Sequence, residues 1–567
     1  MHVPATDRGS ISSRGISRLA RTPRTALFLF VRIAILLSTV AGLFAFTAET
    51  GLSATTRPNS IGNTSVLTYK DDNFRSGENP NETILNTSNV NSTTFGKRVS
   101  YKVDSAVYAE PLFMPNLQIK KQTRNVVFVA TENDSVYAFD ADKTKAVSPL
   151  WKTNFTSPPT ITPFFAKVIH CSDLGPRIGI TGTPVIDPAT DTMYLIAETV
   201  ENGQYVNKLH ALNILTGQDL PGSPVTISAS VPGTGVGSVN GVVTFDPEQQ
   251  LQRPGLALVN GVVYIAWGSF CDHAPAFGWL MGYNETTLQQ VSVYNTNANG
   301  SLGSIWQSGD GIAADANNNL YVMTGNGAFD LNTGGVDAGD TFLKLSSTGG
   351  LSVADYFTPF NQTCLNASDI DLGSGGPLLL PNLDELIGVG KEGRIYVVNR
   401  DNMGQFTSIQ DPCNNQNLTN VDKILQEFPP KTTGEVYSTP AYWNGSSGQF
   451  VYISGKNRPL MAFSLTNGLL SSSPVSQTPE KFLFPGINPV VTSNGTLAGT
   501  GIVWVIDPSG FLRAYDATNL ATELYNSGQV PARDSLPSTI KFSVPTVANG
   551  EVFIGTKKTL EIYGLLG

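Results

Sequence analysis

GTPVIDPATDTMYLIAET, residues 182–199, contains the pattern that decides the fold: a proline-marked entry, an apolar strand, a polar turn and a second β-branched strand. The pattern returns as PGLALVNGVVYIAWG at residues 254–268, GIAADANNNLYVMTGNG at 311–327 and VPTVANGEVFIGT at 544–556. Weaker copies begin at residues 109, 375, 438 and 487. The chain therefore contains eight related strand pairs.

The eight copies recur at similar distances along the chain. Their anchor positions lie 49 to 73 residues apart and are Pro111, Pro184, Gly255, Ile312, Pro377, Pro440, Pro489 and Pro545. A long all-β chain with such a repeat is typical of a β-propeller. We predict an all-β fold with an eight-bladed propeller over residues 67–567. The alternating segment 95–103 is expected to pair with the last blade, around residues 542–563, and so to remove an open sheet edge.

Composition and charge narrow the classes of function. Charged residues make up 14% of the 567 residues and hydrophobic residues 40%, which suits a folded chain of strands and turns. Residues 1–48 contain six arginines and one aspartate, so the remaining chain holds 30 basic and 44 acidic residues and a formal net charge of −14. An acidic body argues against nucleic acid or an anionic membrane surface as the partner. We predict a monomer.

The N-terminus resembles a targeting segment. Residues 1–25 form a basic leader, and residues 26–48, ALFLFVRIAILLSTVAGLFAFTA, are apolar apart from Arg32. The run predicts either a cleaved signal peptide or a signal anchor that keeps the leader in the cytoplasm. A buried core helix is a third alternative. Residues 49–66 form a Ser/Thr/Gly linker. With either targeting segment the propeller is extracellular, secreted or tethered, and contacts the membrane only through residues 26–48.

Glycosylation signals agree with passage through the secretory pathway. Asn-x-Ser/Thr occurs thirteen times, and simple turn composition is the alternative explanation. The acceptor positions are Asn63, Asn81, Asn86, Asn91, Asn133, Asn154, Asn284, Asn299, Asn361, Asn366, Asn417, Asn444 and Asn494. We predict a eukaryotic glycoprotein.

The four cysteines predict two disulfides in such a compartment. Three pairings are open, of which we favour Cys171–Cys271 with Cys364–Cys413. His170 and His273 lie close to two of the cysteines in sequence, but a spacing of about 100 residues is not that of a metal-ligand motif. We therefore expect no Cys/His metal site.

Parts of the chain resemble a known repeat. LHALNILTGQDL, residues 209–220, and AYDATNLATELY, residues 514–525, are similar to the tail of the quinoprotein-type repeat, A-x-D-x-x-T-G-x-x-x-W. Asn213 replaces the aspartate in the first copy. The second keeps Asp516 but lacks the glycine, and Tyr525 stands near the tryptophan position. The resemblance implies a propeller of the quinoprotein-like type over residues 66–567.

Longer segments resemble one family more closely. They include VLTYKDDNFRSG at residues 66–77, LQRPGLALVNGVVYIAWGSFCD at 251–272, DLGSGGPLLLP at 371–381 and GKEGRIYVVNRDNMG at 390–404. These segments are similar to secreted pyrroloquinoline-quinone-repeat proteins of unknown function. The resemblance implies a fold and a family, but it implies no established reaction.

The pattern also resembles that of the larger quinoprotein alcohol dehydrogenases. Those enzymes hold the quinone with a ring formed by two adjacent, disulfide-bonded cysteines and with a stacked Trp. They hold Ca²⁺ with Glu, Asn and Asp. This chain has no Cys-Cys pair. Trp306 is the candidate for a ligand-facing tryptophan, with packing between blades as the alternative. We expect four loop carboxylates near one channel mouth: Asp173, Asp272, Asp369 and Asp371. The alternative is that they are ordinary solvated side chains of loops.

Basic residues at strand ends in the late blades form a second candidate set. They are Lys391, Arg394, Lys456, Arg458 and Lys541. In an acidic body such residues are expected to ring a channel mouth and bind an anionic ligand, and solvated or salt-bridged side chains are the alternative.

Three functions remain open. The favoured hypothesis is a non-catalytic platform without a cofactor, which binds a protein, a glycan or a small anionic ligand at its channel mouth. The first alternative is a secreted oxidoreductase of alcohols or sugars that uses pyrroloquinoline quinone and Ca²⁺. The second alternative is a carbohydrate-active hydrolase or lyase with converging carboxylates. Fold alone does not choose among them.

Overall fold

The computed structural model describes residues 65–166, 170–171 and 174–567. The predicted leader, the apolar run 26–48, residues 49–64 of the linker, the sequon at Asn63 and the candidate Asp173 lie outside the described residues. Within the described part of the chain, no helix is long and apolar enough to cross a membrane.

The strands form eight sheets, or blades, that follow one another along the chain. From the inner to the outer strand, blade 1 comprises Leu112–Ile119, Gln122–Thr131, Ser135–Asp140 and Trp151–Asn154; blade 2 Val185–Asp187, Thr192–Glu201, Gln204–Asn213 and Val225–Thr226; blade 3 Ala257–Val259, Val262–Ser269, Trp279–Asn284 and Gln290–Asn295; and blade 4 Ala313–Ala314, Leu320–Met323, Phe342–Ser346 and Ser352–Thr358. This order confirms the first half of the predicted repeat.

The second half follows the same plan. Blade 5 comprises Leu378–Leu379, Glu385–Val389, Ile395–Asn399 and Gln426–Glu427; blade 6 Ala441–Gly445, Gly448–Ile453, Met461–Thr466, Leu469–Leu470 and Ser476–Gln477; blade 7 Val490–Thr492, Ile502–Asp507, Phe511–Asp516 and Glu523–Asn526; and blade 8 Thr546–Ala548, Glu551–Gly555, Thr559–Leu565 and Phe95–Lys102. The chain is thus an eight-bladed β-propeller, as predicted.

Short elements decorate the blades. The additional strands are Glu78–Asn79, Ile161–Phe165, Arg177–Ile178, Ser230–Pro232, Val242–Thr244, Gln250–Leu251 and Gln405–Phe406, and the helices are Leu331–Thr333, Gln362–Ala367, Leu372–Ser374 and Pro531–Asp534. Ser230–Pro232 and Val242–Thr244 pair as a separate hairpin between blades 2 and 3.

Each predicted anchor immediately precedes an inner strand, except that Gly255 stands two residues before its strand. Proline has no N–H to donate, so its place just outside the strand costs no ladder hydrogen bond. Inner strands contact one another between most neighbouring blades, for example Ala257–Val259 of blade 3 and Ala313–Ala314 of blade 4. The anchors therefore mark the rim of the channel at which the inner strands begin.

The ring is closed by its two ends. Phe95–Lys102 pairs antiparallel with Thr559–Leu565 and becomes the outer strand of blade 8, which confirms the predicted closure. Eight apolar clusters lie between consecutive blades; the one between blades 8 and 1, for example, contains Phe553 and Val127. Each blade is buried on both faces, which explains its nearly continuous apolar strands.

Residues 66–79 form a segment that we call the channel strap. Its backbone and side chains hydrogen-bond to the entry or inner strand of every blade in order, from blade 1 to blade 8. The blade residues contacted are Phe113, Ile186, Leu256, Ala314, Leu379, Tyr442, Val491 and Val547. Arg75 is fully buried and binds the carbonyl oxygens of Ile312 and Leu256. The strap therefore lies in the channel and ties all eight blades together.

Both favoured disulfides are present. Cys171–Cys271 joins blade 2 to the loop after the second strand of blade 3, and Cys364–Cys413 joins the helix after blade 4 to a long loop of blade 5. The second disulfide thus links two neighbouring blades rather than closing a loop within one.

The sequons differ in accessibility. Exposed acceptors are Asn299, Asn366, Asn417 and Asn444. Asn361 is fully buried and its Nδ2 donates to Glu392 at 2.9 Å, so the folded chain has no room for a glycan at this position.

Candidate functional site

A cavity of about 310 Å³ opens at the rim where the inner strands begin. We call it the mouth cavity. It is built from loops that precede inner strands and loops that follow second strands, mainly of blades 3 to 6 and 8. Its lining residues are Leu174, Leu251, Arg253, Cys271, Asp272, Trp306, Ser308, Asp369, Asp371, Ser374, Lys391, Tyr437, Phe484, Lys541 and Phe542.

Three carboxylates meet on one wall of this cavity. One oxygen each of Asp272, Asp369 and Asp371 lies within 4.8 Å of the other two. Asn326 supports the pair from blade 4: its N–H donates to Asp371 at 2.9 Å and its Nδ2 to Asp369 at 3.0 Å. Gly325 is required here, because a Cβ would lie 2.7 Å from Asp371 Oδ1. The arrangement offers three oxygen ligands of the kind that Ca²⁺ prefers.

Lys391 neutralises part of this charge. Its Nζ lies 3.1 Å from Asp369 Oδ1 and 2.5 Å from Asp371 Oδ2. Although burial lowers the pKa of Lys391, the attraction of Asp371 and Asp369 outweighs it, and the net shift is upward. Burial raises the pKa of Asp272, and the charges of Asp371 and Asp369 add to that shift. Three carboxylates meet here beside one ammonium group, which pairs with only two of them, so a further cation at this wall is electrostatically favoured.

Trp306 stands next to the carboxylates. It is half-buried and packs against the apolar cluster that contains Cys171, Cys271 and Phe270. A Cβ on Gly325 would lie 3.3 Å from the indole, so this glycine also allows the ring to approach the carboxylate wall. The predicted ligand-facing tryptophan therefore lines the cavity. The tryptophans that are fully buried are Trp267, Trp279, Trp443 and Trp504.

The remaining walls combine cations with aromatic rings. The Arg253 guanidinium lies 4.4 Å from the centre of the Phe542 ring and donates two hydrogen bonds to the carbonyl oxygen of Ser308. Lys541 Nζ lies 5.2 Å from the same ring. A cation over the face of an aromatic ring is attracted to that ring electrostatically. The cavity therefore suits a ligand with anionic groups.

The structure brings six of the predicted ligand-binding residues into the mouth cavity. They are Trp306, Asp272, Asp369, Asp371, Lys391 and Lys541. Lys456 lies near its edge, with Nζ 5.9 Å from the Phe484 ring, and pairs with Glu435. Arg458 is exposed and donates to the carbonyl oxygen of Lys431.

Arg394 is not at the mouth. Its side chain is fully buried, with ion pairs to Glu427 at 2.7 Å and Glu392 at 3.1 Å. The GKEGR segment turns sharply between Lys391 and Arg394, and it sends the first side chain to the cavity and the second into the blade 5 interior.

Sequence reasoning missed Arg253, Tyr437, Phe484 and Phe542. A positional signal was available, because each of them lies two to five residues before an anchor of the repeat or the inner strand that follows it. Residues just before an inner strand lie at the rim of the channel, so their position alone marks them as candidates for lining a cavity there.

No family model and no curated protein matches the chain. Several solved structures, in contrast, are similar to it. Quinohemoprotein alcohol dehydrogenase ADHIIG from Pseudomonas putida HK5 aligns with a TM-score of 0.55 at 14% identity, over 89% of this chain and 80% of that chain. The quinohemoprotein alcohol dehydrogenase from Comamonas testosteroni gives 0.53 at 13%, over 89% and 81%.

A europium-containing methanol dehydrogenase aligns with a TM-score of 0.55 at 13% identity, over 89% of this chain and 98% of that chain. At these identities the likeness concerns the fold. The chain therefore has the eight-bladed β-propeller fold of quinoprotein alcohol dehydrogenases.

Proposed function

We propose that this protein is an oxidoreductase of alcohols or sugars that holds a quinone and a divalent cation, Ca²⁺ by preference, in the mouth cavity. The observation that carries the proposal is the meeting of a carboxylate triad, a half-buried tryptophan and ring-held cations in one cavity. The fold of the quinoprotein dehydrogenases supports it. The proposal therefore prefers the first alternative from the sequence to the non-catalytic platform.

The residues present fit such a cofactor. Asp272, Asp369 and Asp371 would hold the cation, and the indole of Trp306 would face the quinone ring. Arg253 and Lys541 are placed to pair with the anionic groups of a quinone carboxylate. One departure is the disulfide: Cys171 and Cys271 are 100 residues apart instead of adjacent, although Cys271 still lines the cavity.

The chain's own residues would orient and shield the reactants. The bound quinone would supply the two-electron acceptor. Lys391 fixes the positions of Asp369 and Asp371, so that their oxygens are arranged before a cation arrives. The rings of Tyr437, Phe484 and Phe542 would keep water from the bound ligand.

A hydrolase or lyase fits the carboxylates less well. Glycoside hydrolysis uses two carboxyl groups separated by about 5 to 10 Å on opposite sides of the scissile bond. Here the oxygens lie within 4.8 Å of one another on one wall and two of the acids share a lysine. This geometry favours a cation over a sugar between them.

Reconstitution tests the proposal. The purified chain is incubated with pyrroloquinoline quinone and Ca²⁺, and absorbance, melting temperature and dye reduction with alcohols and aldoses are recorded together. We expect a bound chromophore, a raised melting temperature and turnover, all lost in Asp371→Asn. Asp401→Asn serves as the control, because Asp401 is a solvent-exposed acid that does not line the mouth cavity.

The other outcomes separate the alternatives. Quinone binding without dye reduction would reject the oxidoreductase and return the protein to a ligand-binding platform. Absence of binding in the wild-type chain would reject the cofactor altogether.

We also propose an extracellular location. The two disulfides indicate an oxidising compartment. Secretion, the choice between signal peptide and anchor, glycan occupancy and the monomeric state remain predictions from the sequence.

A further inference from the structure

A second, much smaller cavity lies between the mouth cavity and the channel strap. Its volume is about 10 Å³, close to the space that one water molecule needs. Arg253, Ser308 and Phe542 line both cavities, so the two share a wall. The strap contributes Tyr69, and the entry to blade 4 contributes Asp310.

Two polar atoms of this small cavity lack a hydrogen-bond partner among the described residues. They are the hydroxyl of Tyr69, a residue that is 5% exposed, and Oδ2 of Asp310, which is 2% exposed. The nearby Thr439 hydroxyl donates instead to the carbonyl oxygen of Gly309 at 3.2 Å. Leaving two such groups unpaired in the interior is costly, and an ordered water commonly removes that cost.

The backbone holds the Asp310 carboxyl in place. Oδ1 accepts the N–H of Gly311 at 2.6 Å. A Cβ on Gly376 would lie 1.6 Å from Oδ2, so only glycine at that position leaves room for the carboxyl group. The orientation of Oδ2 is therefore fixed by its surroundings and not by a side-chain partner.

We infer that the small cavity holds one ordered water between Tyr69 and Asp310, and that this unit exchanges a proton when an anionic ligand occupies the mouth cavity. The water is the ligand that both unpaired groups require. The coupling rests on the proposed function, because it needs a negatively charged occupant next door.

The charges around Asp310 make proton exchange feasible near neutral pH. Burial raises the pKa of Asp310 to about 7; the hydrogen bond from the Gly311 N–H and the charges of Arg75 and Lys70 oppose that shift. Glu110 and Arg253 also face the neighbouring Tyr69. An anion bound beyond the shared wall disfavours the ionised carboxylate, so Asp310 takes up a proton.

A crystal structure of the full chain tests the water. We expect density within about 3.2 Å of both Tyr69 Oη and Asp310 Oδ2. Ordered side chains with no density between them would overturn the inference.

Infrared spectroscopy tests the titration of Asp310. Burial also raises the pKa of Glu110 and of Glu132 to about 7, so the Asp310 band is the part of the wild-type carboxyl signal near pH 7 that Asp310→Asn lacks. Tyr69→Phe removes a partner of the water and should shift the band to higher pH by about 0.5 unit or more, since the ionised form loses stabilisation. The control is Tyr294→Phe, which removes another unpartnered hydroxyl in a different groove. No shift in Tyr69→Phe, or an equal shift in the control, would overturn the inference.

Calorimetry tests the coupling. Binding of pyrroloquinoline quinone with Ca²⁺ is measured in two buffers of different ionisation enthalpy. We expect proton uptake in the wild-type chain and its loss in Asp310→Asn. Uptake that persists in the variant would overturn the coupling. Failure of the quinone to bind would reject both the proposed function and the coupling. The presence of the water and the titration of Asp310 would still be tested by the crystal structure and by infrared spectroscopy.

Discussion

At the scale of single residues, Lys391 is the most consequential contact of the mouth cavity. It is the ion-pair partner of both Asp369 and Asp371. Asp371 is 7% exposed, so removing the ammonium group leaves a buried charge without compensation. The stability of this wall should therefore depend on whether a cation is present.

We predict that Lys391→Gln lowers the free energy of unfolding by about 3 kcal/mol in the presence of a chelator. Added Ca²⁺ should restore part of the loss, because it takes the position of the missing charge. Denaturant titration with and without Ca²⁺ measures both effects. Lys344→Gln is the control, because Lys344 pairs with the exposed Asp401 and not with the carboxylates of the mouth cavity. Added Ca²⁺ should not restore stability in this variant. An equal recovery in both variants would contradict a cation site at the triad.

A second residue-scale feature is the set of acids buried between blades 1 and 2. Burial raises the pKa of Glu132 from 4.5 to about 7 and also raises those of Asp134 and Glu198. Between pH 4.5 and 7 the folded chain therefore binds more protons than the unfolded chain. The free energy of unfolding should fall as pH rises through this window.

We predict that Glu132→Gln makes this decline shallower by about 1.4 kcal/mol per pH unit, since glutamine keeps the acceptor for Gly179 and Thr181 but does not titrate. Chemical denaturation at pH 5, 6 and 7 measures the slope. The exposed Asp384 provides the control as Asp384→Asn. A slope unchanged by Glu132→Gln would show that the acid is ionised in the folded chain.

At the scale of elements, the closure strand carries a large share of the ring's stability. Phe95 is fully buried between blades 7 and 8, with its ring 4.9 Å from that of Tyr525 and 5.5 Å from that of Trp504. Of the four strands of blade 8, this is the one that the N-terminal side of the chain supplies, because the other three come from the C-terminal side.

We predict that Phe95→Ala lowers the free energy of unfolding by about 3 to 5 kcal/mol, the cost of a large cavity in a packed core. Leu497→Ala, at a position that is 59% exposed, should change it little. Equilibrium denaturation followed by tryptophan fluorescence compares the two. A small effect of Phe95→Ala would mean that blade 8 is held by its three C-terminal strands alone.

The inner strands could be predicted from the sequence, whereas the channel strap could not. The anchors predicted every inner strand, because proline and glycine mark strand entries independently of what the strands contact. The channel strap was not predicted, since VLTYKDDNFRSGEN has neither strand nor helix periodicity. Its hydrogen bonds to the blades go to backbone groups 47 to 468 residues away, and backbone groups leave no signature in side-chain patterns.

The residues of the mouth cavity could likewise be predicted only where a local pattern indicated them. Trp306 and the carboxylates were predicted from residue type and loop position, and both properties survive in the folded chain. Arg394 shared those properties with Lys391 but lies on the other side of a tight turn, and one residue more or less in a turn decides between cavity and interior. The small cavity at Asp310 depends on a tyrosine of the strap, so no local pattern indicates it.

At the scale of the whole molecule, the strap acts as a ninth structural unit that crosses every blade. Arg75 is its centre, with hydrogen bonds to the strap itself and to the entry of blades 3 and 4. Because these carbonyl groups are buried, their alternative partners are few.

We predict that Arg75→Met lowers the free energy of unfolding by about 3 kcal/mol or more and increases amide hydrogen exchange in the inner strands of several blades at once. Arg458→Met, at an exposed position with a single carbonyl acceptor, should affect neither quantity. Exchange that increases only in blades 3 and 4 would show that the strap does not couple the ring.

The closure of the ring has a consequence for how a cell makes the protein. Phe95 pairs with Leu565, 470 residues later, so the strand Phe95–Lys102 leaves the ribosome long before its partner Thr559–Leu565 has been made. At about 5 to 20 residues per second that interval is roughly 20 to 100 seconds. During that interval the edge of Phe95–Lys102 is unpaired, and unpaired strand edges pair readily with other chains. A chain that lacks Thr559–Leu565 would leave Phe95–Lys102 without the strand with which it pairs.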